Sequence, residues 1–76
     1  MSKKMQLIEY TVQDIITFII EDTGLAIQDA MYLFCTSEIY MKLIDTETGL
    51  YLEGSSYVYD LFENEQKNGK LRQEEL

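Results

Sequence analysis

Apolar residues in the first third of the chain return at steps of three and four: Met5, Ile8, Val12, Ile15, Ile16, Ile19 and Ile20. On a spiral of about 3.6 residues per turn these fall on one side, while Glu9, Gln13, Asp14 and Glu21 fall on the other. The pattern predicts a long amphipathic helix from Met5 to Asp22, the wall on which later elements pack. Leu7, Tyr10 and Phe18 lie outside the main stripe, so they either widen the buried arc or leave a second contact surface. Glu21 and Asp22 oppose the dipole at the helix C-terminus, and Gly24 supplies the left-handed stop.

Shorter periodic segments follow. Leu25, Ile27, Ala30, Met31 and Phe34 predict a second helix from Ala26 to about Cys35 with that side inward, although Ala26 stands where a capping hydroxyl is expected. Thr36 or Ser37 can cap a third helix from Glu38 to about Asp45, with Ile39, Leu43 and either Tyr40 or Ile44 inward. Asp45 to Gly49 has the composition of a turn, and Leu50-Tyr51-Leu52 reads as an extended run ended by Glu53-Gly54. Lys42 to Asp45 could instead pair with Leu50 to Glu53 as a hairpin, but a lone two-stranded hairpin is marginal in water, which favours helix. Ser55 or Ser56 caps a last helix from Tyr57 to about Lys67, with Val58, Leu61 and Phe62 inward and Asn68-Gly69 as its stop.

The expected architecture is all-α, with three to four short helices on a long N-terminal helix; the alternative is α+β with a small hairpin at residues 42–53. Residues 1–4 form a flexible basic lead-in, 5–68 a single domain, and 69–76 a flexible charged tail. At 76 residues the chain lies near the size where one core only just offsets chain entropy. A composition of 46% hydrophobic residues without proline suits a folded domain rather than a disordered acidic tail.

Charge narrows the function classes. Between Met5 and Gln66 there are twelve acids against one base, Lys42, a formal charge of −11. The other bases, Lys3, Lys4, Lys67, Lys70 and Arg72, sit at the two ends. Phosphate backbones are bound chiefly by Lys and Arg, so direct nucleic-acid binding is disfavoured. An acidic body suits a basic protein partner, or serves solubility alone. Charged positions interrupt the first helix too often for a membrane span or a signal core, which points to the cytoplasm.

Residue chemistry argues against catalysis. Histidine is absent, which removes Ser-His-Asp and Cys-His arrangements and the usual neutral-pH proton shuttle. Cys35 is the only cysteine, excluding an internal disulfide or a cysteine-based zinc site, and it reads as a small buried apolar residue rather than a nucleophile. The acidic turn from Asp45 fails the calcium-loop spacing, with Gly49 in the fifth place and Ser56 in the twelfth. The four glycines are isolated, so no phosphate-cradling loop and no cofactor are expected.

Aromatic and acidic residues together offer the most. Of six tyrosines, Tyr40, Tyr51, Tyr57 and Tyr59 fall in the second half beside Asp45, Glu47, Glu53 and Asp60. Tyrosine is enriched at interfaces because its ring buries area at low entropic cost, although some rings must fill so small a core.

The order of signals also resembles a known family. The run Glu21-Asp22-Thr23-Gly24-Leu25 after an Ile- and Phe-rich helix, then Gln28-Asp29-Ala30-Met31-Tyr32-Leu33-Phe34, the acidic turn, and Tyr57-Val58-Tyr59-Asp60-Leu61-Phe62-Glu63 resemble a group of short bacterial proteins of this length. The resemblance covers Ile8 to Phe62 and rests on hydrophobic spacing. It implies an all-helical fold and no established catalytic or ligand residues. Some members are encoded beside proteins resembling ADP-ribosyltransferases, in pairs suspected of being toxin–antitoxin systems.

The resulting expectation is a non-enzymatic acidic module that engages a basic partner protein through Asp45, Glu47, Tyr51, Glu53 and Tyr57, in the manner of an antitoxin. The alternative is a self-associating scaffold, a homodimer or larger, driven by Leu7, Tyr10 and Phe18.

Overall fold

Ser2 is extended, and its hydroxyl accepts the Met5 amide at 3.2 Å, so the first helix opens at Lys3 rather than Met5. In the computed structural model, which describes residues 2–68, this helix, α1, spans Lys3–Thr23. Lys3 and Lys4 therefore belong to its first turn and are not a lead-in. At the other end Gly24 adopts φ 77° and donates its N–H to the Ile20 carbonyl at 2.8 Å. The Thr23 hydroxyl donates to the Ile19 carbonyl at 2.7 Å and accepts the Leu25 amide at 3.1 Å, which completes the stop.

Helix α2 spans Ile27–Cys35, α3 Glu38–Ile44 and α4 Ser55–Lys67, with two 3-10 turns at Thr46–Thr48 and Leu50–Leu52. The fold is all-α, and no strand occurs among the described residues. The expected charged tail at 69–76 lies outside the described residues.

Local side-chain bonds explain why residues 42–53 do not form the alternative hairpin. The Asp45 carboxylate accepts the Glu47 amide at 3.0 Å. The Thr48 hydroxyl donates to the carbonyls of Lys42 at 2.7 Å and Asp45 at 2.9 Å, and accepts the Leu50 amide at 3.1 Å. These bonds engage backbone groups that a ladder would need, and Gly49 at φ 72° turns the chain between the two 3-10 segments.

The cap of α4 differs from expectation. Gly54 is the capping residue, without a side-chain bond, and the helix starts at Ser55. The Ser55 hydroxyl is directed elsewhere, donating to the Asp14 carboxylate at 2.7 Å and tying the start of α4 to α1.

The core gathers Ile8, Ile15, Ile16 and Ile19 of α1 with Ala30 and Phe34 of α2, Ile39 and Leu43 of α3, Tyr51, and Val58 and Phe62 of α4. Phe34 is fully buried at its centre, edge-on to Tyr40 at 5.6 Å and to Phe62 at 5.3 Å between ring centroids. Helix α1 packs on α2, α4 and the Leu50–Leu52 turn, while α3 closes against α2, α4 and both turns.

Three positions assigned to the core by periodicity stay outside it: Met5 is 48% exposed, Ile27 58% and Met31 48%. Nine-residue α2 rests on α1 along its Ala30–Phe34 line, and a helix that short covers only a narrow strip of its neighbour. Ile27 and Met31, which flank that strip, remain in solvent, and Met5 stays exposed in the first turn of α1 beside Tyr40 and Ile44.

Candidate functional site

The five residues expected to meet a partner do not share one surface role. Asp45, Glu47 and Glu53 are exposed on the segment between α3 and α4, and Tyr57 in the first turn of α4 is 51% exposed. Tyr51 is different. Its turn folds back onto α1, leaving the residue 9% exposed within the core cluster. Its ring supports the loop from beneath.

A second acidic and aromatic feature lies along the seam of α1 and α4. Phe18 meets Tyr59 with ring centroids 5.2 Å apart, and Tyr59 stacks on Phe62 at 6.2 Å. The Tyr59 hydroxyl donates to the Asp22 carboxylate at 2.6 Å. Partial burial, then that hydrogen bond and the negative charges of Asp22 and Glu63, hold the phenol well above the usual tyrosine range. Glu21, Asp22 and Asp60 surround a shallow hollow of about 240 Å³ floored by Phe18 and Tyr59.

The apolar counterpart is a groove along the opposite flank of α1. One half, about 320 Å³, runs between α1 and α2 past Ile16, Ile20, Ile27 and Met31. The other, about 330 Å³, runs between α1 and α3 past Met5, Glu9, Tyr40 and Ile44. Val12 and Gln13 line both halves, so the groove follows α1 from Met5 to Ile20.

Glu65 is the one acid of the described residues that is buried, at 7% exposure. Its two carboxylate oxygens accept the amides of Glu38 at 2.9 Å and Ile39 at 3.0 Å, while the Ser37 hydroxyl accepts the Tyr40 amide at 3.1 Å. Together they satisfy the first three amides of α3, two of them from a helix distant in sequence. A signal was available in the chain: Glu65 falls seven residues after Val58 and three after Phe62, in line with the inward stripe of α4. An acid at such a position calls for a buried partner.

Burial also pushes the Cys35 thiol up, away from the thiolate form a nucleophile needs. Among the described residues, no three or more Cys, Asp or Glu side chains are placed to hold a metal ion. No helix among them is long and apolar enough to cross a membrane. Compared with known proteins, the chain matches no family model, no curated protein and no solved structure.

Proposed function

We propose that this protein is a non-enzymatic, acidic protein-binding module whose partner is a basic protein. The observation that carries the reading is the placement of charge: of the twelve acids between Met5 and Gln66, all but Glu65 are exposed, against the single base Lys42. So dense a negative surface accelerates encounter with a positively charged partner and rejects acidic ones. Asp45, Glu47 and Glu53 steer that partner, and Tyr57 contributes buried area at the contact. The family resemblance supports an antitoxin-like role, with a neighbouring protein as the target and the cytoplasm as the place of action.

Self-association through Leu7, Tyr10 and Phe18 has less support. Phe18 is half-buried against Tyr59, which leaves Leu7 and Tyr10 as the exposed remainder of that strip.

The test is purification of the C-terminally tagged protein from its native host at low salt, followed by a high-salt wash. A stoichiometric basic protein released by salt is expected. When the two are remixed, the triple variant Asp45→Asn, Glu47→Gln, Glu53→Gln should bind more slowly, and Tyr57→Ser more weakly. Recovery of the protein alone, or unchanged binding by these variants, overturns the reading.

A further inference from the structure

We propose that the groove along α1 is the seat of a basic amphipathic helix supplied by the partner protein, an inference that rests on the binding role proposed above. Four large apolar side chains edge this groove in the open: Ile27 at 58% exposure, Met31 and Met5 at 48%, and Ile44 at 43%. They stand on three different helices but along one channel, whose floor is Val12 and Ile16. A groove walled by helices accepts the apolar face of another helix, with anchors at three- and four-residue spacing. Methionines at its edge adapt to the shape of what enters.

Length and charge specify the occupant. From Met5 to Ile20 the channel follows α1 for about 23 Å at 1.5 Å per residue, room for about four helical turns. Glu9 lies in the groove and is one of eleven exposed acids on the described body, against the four exposed bases Lys3, Lys4, Lys42 and Lys67, so the flanks of an incoming helix must be rich in Lys or Arg. A second copy of this chain fails that requirement. Its own formal net charge is −8, and juxtaposing two such surfaces is repulsive.

The probe is a fluorescein-labelled helical peptide of about 16 residues built from Leu and Lys at amphipathic spacing, with a Leu/Glu peptide of identical spacing as control. The Leu/Lys peptide should bind and shift the amide resonances of Ile20, Ile27 and Met31, while the Leu/Glu peptide should not bind. The double variant Ile27→Ser, Met31→Ser, changed at two exposed positions and checked for an unchanged helical spectrum, should lose about tenfold in affinity. Equal binding of both peptides, unchanged affinity of the double variant, or a sedimentation mass of a dimer overturns the proposal. The two readings separate cleanly. A native partner held equally by the double variant removes the groove and keeps the binding role. Groove binding of the Leu/Lys peptide with no basic partner in the native host does the reverse.

Discussion

Tyr59 makes a protonation state part of the fold. Its ring sits between Phe18 and Phe62, and its hydroxyl donates to the Asp22 carboxylate 2.6 Å away, so ionising the phenol would set two negative oxygens against each other. The folded pKa is raised, whereas the unfolded chain titrates near about 10. The contribution is therefore complete below that value and is lost as pH rises from it toward the folded pKa. Denaturant midpoints measured between pH 8 and 11 should fall more steeply for the natural protein than for Tyr59→Phe; parallel curves would refute this. The acid-rich tyrosine region was legible in the chain, but the bond to Asp22 was not, because it spans 37 residues and depends on how α4 lies against α1. Tyr51 shows the same limit from the other side. Composition suited it to an interface, and only the return of its turn onto α1 places the ring in the core.

At the scale of elements, apolar periodicity announces the helices, and local caps fix some of their ends. Gly24 ends α1 and Ser37 opens α3 as their residue types require, and Ile8, Ile15 and Ile19 follow the spiral into the core. Bonds supplied by distant groups were not legible: Ser55 serves Asp14 instead of its own helix, and Glu65 of α4 accepts two amides at the start of α3 that Ser37 already marks. The Glu65 contribution has a measurable size. Hydrogen bonds to a charged group contribute about 1.5–3 kcal/mol each, so Glu65→Ala, which orphans the Glu38 and Ile39 amides, should cost about 3 kcal/mol. Glu65→Gln should cost about half as much, since its carbonyl can still accept one amide while its NH₂ faces the other. Urea titration of the two variants checks both the loss and its order.

For the molecule as a whole, folding draws eleven exposed acids onto one small body, and their mutual repulsion works against compaction. Salt should relieve it. Raising NaCl from about 10 mM to about 1 M shortens the Debye length from about 30 Å to about 3 Å. The expected gain is about 1 kcal/mol, read as a rise of about 4–8 °C in Tm for a domain of this size. A Tm that stays flat would mean the acids are already spaced widely enough not to repel. The same charge that limits stability is what the proposed partner would neutralise, so binding and salt should act on stability in the same direction. The contact of Glu65 with α3 reaches across 26 and 27 residues, and it makes two amides sensors of something outside their own helix. Hydrogen exchange at Glu38 and Ile39 clocks each departure of α4 from the bundle, even while the turns of α3 beyond them remain wound.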